Sequence, residues 1–181
     1  MIERVSLITG NAGKAREYAI LLGIEVVAVK EDLIEIQSLD VVKVVERKAA
    51  DSYSKLRIPV LVDDTGLVLH AWNGLPGALV AWFLDAVGTQ GLLAMAAGVA
   101  DRSATVTTAL GYADAEGMRV FTGTLDGLLT TEERGEGGFG YDSIFAPGDG
   151  SLTFAEMTSD QKNAISHRRL AVEALRKEFG L

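Results

Sequence analysis

Val60-Leu61-Val62 runs directly into Asp63-Asp64, and few folds accept that order of residues. The apolar run, opened by Pro59, has the β-branched and aliphatic character of a buried strand. A buried strand does not close on two acids without a use for them, because an unpaired buried charge is strongly disfavoured. Successive side chains on a strand point to opposite faces, so Asp63 and Asp64 cannot do the same job. One can hold a cation or cap a turn while the other reaches into a cleft. In the plainer reading both acids solvate a strand end and cap a turn at Thr65-Gly66. Either way, the strand is predicted to end at the acids.

The flanking chain alternates between the two hydrophobic periods. Val5-Ser6-Leu7-Ile8 reads as a first strand, and Thr9-Gly10-Asn11-Ala12-Gly13-Lys14 follows it at once. A helix comes next, with Tyr18, Leu21 and Leu22 on one face and Gly23 as its stop. A strand, a glycine loop and a helix start leave backbone N–H groups exposed, which suits an anion. Lys14 in the first turn opposes the helix dipole unless an anion lies beside it. The loop lacks the spacing of a Walker A sequence, and an ordinary strand-to-helix turn fits it equally well. Residues 25–29 form a second strand, 32–37 a connector with isolated acids, and 41–56 a helix bearing Val44, Val45, Lys48 and Ala49 near one face. Lys48 beside an apolar stripe is the pattern of a snorkelling lysine.

Beyond the acids, Asn73-Gly74-Leu75-Pro76-Gly77 is a turn. Trp72, Trp82 and Phe83 around it are predicted core residues. A helix over 83–97 carries a break near Gly88. Two Thr/Val/Leu-rich runs, 104–113 and 118–128, form an antiparallel hairpin turning at 114–117. A second glycine-rich loop, residues 135–142, lets a flat ligand approach the backbone, with Phe139 or Tyr141 as the stacking ring. A tight turn around a core aromatic explains that loop as well. Thr158 and Gln161 form a capping box. Ser166 caps a last helix whose Leu170, Ala174, Leu175 and Phe179 are expected to face the core. His70 and His167 have no partner at zinc spacing.

With 181 residues, 48% apolar, 20 glycines and 3 prolines, the chain reads as one globular domain spanning 1–181, with no linker. It has no cysteine, so neither disulfides nor thiolate metal sites are available. No apolar run is long enough to cross a bilayer, and no basic-then-apolar leader opens the chain. A cytoplasmic protein that does not bind membranes is the expectation. The net charge of −8 argues against a nucleic acid polymer as partner.

Five segments occur in order: Thr9-Gly10-Asn11-x-x-Lys14, Asp63-Asp64-Thr65-Gly66, Gly74-Leu75-Pro76-Gly77, Phe139-Gly140-Tyr141-Asp142 and Lys162-x-x-x-Ser166-His167-Arg168. Each is weak alone, but together they span nearly the whole chain and resemble the inosine triphosphate pyrophosphatase family. Residues 32–37 and Trp82-Phe83-Leu84 are similar to its archaeal and eukaryotic branch. The resemblance implies an α/β fold, an elongated, mixed, twisted β-sheet flanked by helices, with two lobes around a central cleft. It implies a homodimer, a divalent cation such as Mg2+, and cleavage of a non-standard purine nucleoside triphosphate between its α and β phosphates. In that frame Asp64, Lys14 and Lys48 are the catalytic candidates. Glu35 and Asp64 are the metal ligands, with Asp63 as an alternative ligand or orienting group. Thr9, Asn11 and the loop N–H groups around Gly10 would hold phosphates, Lys14, Lys48 and Lys162 would stabilise the charge of the transferred group, and Thr65 would touch the substrate. Phe139, Gly140, Tyr141, His167 and Arg168 would hold the base, with Asp142 orienting the loop or contacting the base, and adenine would be rejected because donors face the C6 position. A pyrophosphatase for other modified nucleotides, or a nucleotide sensor without turnover, are the alternative readings.

Overall fold

The computed structural model describes residues 4–181. The order of elements follows the sequence periods closely. Strand β1 (Arg4–Ile8) leads through helix α1 (Ala12–Leu22) to β2 (Glu25–Val29), and helix α2 (Val41–Leu56) returns the chain to β3 (Val60–Leu69). A short 3-10 turn (His70–Trp72), β4 (Pro76–Gly77) and helix α3 (Val80–Met95) come next. The hairpin β5 (Ser103–Asp114) and β6 (Gly117–Leu129), then β7 (Phe145–Pro147), complete the sheet, and helices α4 (Ser159–Ile165) and α5 (His167–Phe179) close the chain. Gly23 takes a left-handed conformation after α1, as its place as a stop requires. The capping box at Thr158 and the Ser166 cap both form.

The strands lie in the order β2-β1-β3-β5-β6-β7, with β4 on the free part of β3. β1 pairs in parallel with both β2 and β3, and every other pairing is antiparallel. From β1 the chain goes to one neighbour through α1, then crosses back to the other through α2. The strand order thus reverses at β1 and β3, and the crevice beyond the carboxyl ends of such strands is where open α/β sheets bind ligands. α1 and α5 pack on one face with Val5, Leu7, Leu61 and Leu110. α2 packs on the other with Val60, Val62 and Ala109. α5 lies so close to β6 that a Cβ on Gly123 would meet the His167 carbonyl oxygen at 2.1 Å.

A third apolar cluster gathers Leu67, Leu69, Leu92, Val106, Phe145 and Phe154. β3 belongs to all three clusters. Residues 60–62 anchor the first lobe and Leu67 and Leu69 the second, and the acids fall between them. The expected turn at Thr65-Gly66 therefore does not exist. β3 continues to Leu69 because β5 pairs with it all the way from Val60↔Ala113 to Leu69↔Ala104. Two core assignments also change. Trp82 is 65% exposed on α3, whereas Trp72 and Phe83 pack against the third cluster. On α5 it is Ala171, Val172 and Leu175 that turn inward, while Leu170 is exposed. The break in α3 falls at Gly88, which has φ 68° and ψ −178°.

Candidate active site

Strand alternation separates the two acids as the sequence requires. Asp63 shares the face of Leu61 and meets α1, and Asp64 shares the face of Val62 and meets α2. Asp63 is buried, with Oδ1 accepting from Lys14 Nζ at 3.1 Å and Oδ2 from the Tyr18 hydroxyl at 3.2 Å. A guanidinium nitrogen of Arg168 stands 3.9 Å from Oδ2. Burial alone would raise the Asp63 carboxyl, but the charges of Lys14 and Arg168 outweigh it and hold it below the ordinary carboxylate value. Each oxygen of Asp63 is thus engaged by one donor.

Asp64 is different. Its Oδ1 accepts from Lys48 Nζ at 3.0 Å, and its Oδ2 is buried with no partner. Burial, only partly offset by Lys48, pushes its carboxyl up to about 6. Lys48 also pairs with Glu35, whose side chain is half exposed on the connector before α2. Burial works against the Lys48 ammonium, but the two carboxylates more than compensate, and its pKa rises above the ordinary lysine value. The residue next to an apolar stripe is thus an ion-pair centre and not a snorkelling lysine. Among the described residues no three metal-ligating side chains come together, so Glu35, Asp64 and Asp63 do not form one cluster. Glu35 and Asp64 bracket the same ammonium.

The first glycine loop differs from expectation. Asn11 caps α1, with Oδ1 accepting from the Gly13 and Lys14 N–H groups at 2.8 and 3.2 Å. Thr9 Oγ1 accepts from the Asn11 N–H at 3.0 Å. Three of the loop's N–H groups are thereby satisfied within the loop, because an asparagine cap competes for the same donors an anion would use. The positive charge is left to Lys14. Thr9, Gly10, Lys14, Glu35, Lys48 and Asp63 line one cavity of about 290 Å³. A second cavity, of about 160 Å³, adjoins it through Lys14 and is lined by Asn11, Asp64, Thr65, Phe139 and Arg168 among others.

The second glycine loop and the start of α5 build the far wall of that cavity. Gly138 sits at φ 75°, where a Cβ would meet Asp142 Oδ2 at 2.1 Å. That oxygen accepts from the Phe139 N–H at 2.8 Å and from Lys162 Nζ at 2.7 Å. Asp142 therefore shapes the loop and fixes Lys162, which lies 4.8 Å from the Phe139 ring centre. Phe139 is 38% exposed. Tyr141 is buried, and its hydroxyl is 2.8 Å from His167 Nε2. Of the two aromatic candidates Phe139 is the more exposed ring, while Tyr141, which also lines the second cavity, is held by His167. Burial, followed by the charges of Arg168, Lys162 and Lys14, pushes His167 well below the ordinary histidine value and keeps it neutral.

Arg168 is 2% exposed, pairs with Glu17 at 2.7 Å, and has the Tyr18 and Phe139 rings within 5.6 Å. The Arg168 charge at the start of α5 is thus balanced from α1 by Glu17. Glu17 and Tyr18 are site residues that sequence reasoning missed. Their signal was spacing, since residues 14, 17 and 18 share one face of a helix. Val80, Ala81 and Leu84 supply an apolar wall. Among the described residues, Glu17 Oε1, Asp64 Oδ2, His167 Nδ1 and Arg168 Nε are buried without a partner. Only Thr108 and Arg134 add further such atoms. An unmet buried polar atom costs about 1–3 kcal/mol. Three of them, on Asp64, His167 and Arg168, belong to residues lining the second cavity and mark a place built for a polar ligand.

An open α/β sheet with acids, lysines and an aromatic loop at its strand reversal defines a ligand-binding α/β protein of the doubly covered kind. More specifically, the chain belongs to the Ham1 family, whose model matches residues 5–178. It is 42% identical to Inosine triphosphate pyrophosphatase 2 of Trypanosoma cruzi, over 98% of this chain and 93% of that protein. It is 40% identical to the dITP/XTP pyrophosphatase of Thermococcus kodakarensis, over 93% of each. Among solved structures, the Ham1 protein of Staphylococcus aureus superposes with a TM-score of 0.86 at 27% identity, covering 98% of both chains. That of Coxiella burnetii gives 0.86 at 29%, covering 99% of both.

Proposed function

We propose that this protein hydrolyses non-standard purine nucleoside triphosphates, such as ITP, dITP and XTP, to the monophosphate and pyrophosphate. The observation that carries the reading is the set of three unmet buried polar atoms on Asp64, His167 and Arg168, all lining one cavity that adjoins a second through Lys14. The curated relatives are named for this activity.

Lys14, Lys48 and Lys162 stabilise the triphosphate and the charge that develops as the anhydride breaks. Glu35 and Asp64 are oxygen donors on one cation's charge already, and the unmet Asp64 Oδ2 leaves a position for Mg2+, which prefers few carboxylates and keeps several waters. When bound there, the ion would neutralise phosphate charge. Asp64 orients the attacking water and accepts its proton; its pKa of about 6 is that of the ion-free carboxyl, and an ion on Oδ2 would lower it. Phe139 stacks on the base. Arg168 and His167 present donors to the C6 carbonyl of hypoxanthine or xanthine. Adenine places an amino group there, so those donors go unmet and ATP is disfavoured.

The exposed Trp82, Val87 and Met95 on α3 support a homodimer, and a solution mass twice that of the chain is expected from light scattering. A cytoplasmic location goes with this reading, since its substrates belong to the nucleotide pool. The deciding experiment is a nucleoside triphosphate panel with and without magnesium. Inosine monophosphate and pyrophosphate from ITP are expected. Release of orthophosphate, or equal turnover of ATP, would overturn the assignment.

A further inference from the structure

Tyr18 is completely buried, yet its hydroxyl is not idle. It donates to Asp63 Oδ2, the oxygen that Arg168 approaches to only 3.9 Å. The other oxygen of the same carboxylate holds Lys14 at 3.1 Å. The Tyr18 ring lies 5.5 Å from the Arg168 guanidinium carbon, and the guanidinium reaches Glu17 at 2.7 Å. One phenol therefore touches both the acid that sets the phosphate-side lysine and the arginine that lines the base pocket. Among the hydrogen bonds, ion pairs and cation-ring contacts of the described residues, no other uncharged side chain joins Asp63 to Arg168.

We propose that Tyr18 is a positioning residue that sets base selection: by occupying Asp63 Oδ2 it keeps the Arg168 guanidinium on Glu17 and in the base pocket. The inference rests on the nucleotide reading above. Its logic is competition for one oxygen. A buried carboxylate oxygen that loses its donor recruits the nearest replacement. That replacement is the Arg168 nitrogen, which needs to move by only about 1 Å to reach hydrogen-bonding distance. The move draws the guanidinium towards β3 and away from the pocket wall that meets the C6 position. Lys14 stays on Oδ1, so the loss falls on choice between bases more than on grip of phosphate.

Tyr18→Phe removes the hydroxyl and keeps the ring. We expect the ratio of kcat/KM for ITP over ATP to fall at least fivefold, with circular dichroism and cooperative melting retained. In an Arg168→Ala background, Tyr18→Phe should leave that ratio where Arg168→Ala alone puts it, because the tyrosine acts through the arginine. A ratio unchanged in the single variant overturns the proposal, and so does an equal effect in both backgrounds. Tyr18→Met fills similar space without hydroxyl or ring and gives the same comparison should the phenylalanine chain not accumulate. A parent enzyme that fails to hydrolyse ITP would instead strike at the proposed reaction, so the two failures are distinguishable.

Discussion

Asp64 and Asp63 are neighbours in sequence, yet one is left with an unmet oxygen and the other has both oxygens engaged. Asp64→Asn keeps the shape of the carboxylate but removes its ability to take a proton. Turnover of ITP should fall at least about 100-fold with the melting temperature held, read by pyrophosphate release. A variant retaining more than about a tenth of the activity would take Asp64 out of the proposed mechanism. At His167 the expectation concerns stability. The folded chain keeps this ring neutral, whereas the unfolded chain protonates near the ordinary value of 6.5. Above that pH the two states bind equal numbers of protons at this site. Below it the unfolded state binds more, so stability is lost as pH falls from about 6.5, by up to about 1.4 kcal/mol per pH unit. Asp64 works in the opposite sense between about 6 and its unfolded value of 3.8, because there the folded state binds more protons. The comparison must therefore be with His167→Gln. Urea midpoints from pH 7.5 to 5 should drop more steeply for the parent than for that variant, and parallel curves would refute the neutral ring.

Helix and strand periods were legible because they are local. The stop at Gly23, the cap at Ser166 and the hairpin at 114–117 follow from neighbouring residues alone. The length of β3 was not legible, since Thr65-Gly66 after two acids has the composition of a turn. Only the ten paired residues of β5, some 40 positions away, hold that segment extended. Trp82 misled for a similar reason: an aromatic near a turn gives no sign of which helix face will be left uncovered. In the site, residue types were readable but partners were not. Lys14 stood out against its helix dipole, Lys48 beside an apolar stripe and Arg168 through the family resemblance, while Glu17 and Tyr18 looked like ordinary helix residues. The seat of α5 offers a test at this scale. Gly123→Ala puts a Cβ into the backbone of α5 at His167 and Ala171. A loss of about 1–3 kcal/mol is expected, together with weakened discrimination between ITP and ATP, because His167 and Arg168 ride on the displaced helix. A folded variant of unchanged stability would mean that α5 can give way freely.

At the scale of the whole molecule, a chain of net charge −8 must attract a polyanion. Lys14, Lys48 and Lys162 lie in one cleft, but each is paired with an acid: Asp63, Asp64 with Glu35, and Asp142. The free site is thus close to neutral, and a substrate carrying its own divalent cation suits it better than a bare triphosphate. Omitting magnesium should raise the KM for ITP strongly, and steady-state rates across a magnesium titration would show it. Equal KM values with and without the ion would contradict this balance. β3 carries a further implication. It is a single continuous strand that belongs to the cores of both lobes, and Asp63 to Gly66 lie on the stretch between them. Any opening or closing of the cleft must flex the backbone at those four residues. Grip on a ligand and the setting of the acids are then one mechanical event, and a nucleotide that fails to draw the halves together leaves the reactive groups out of true.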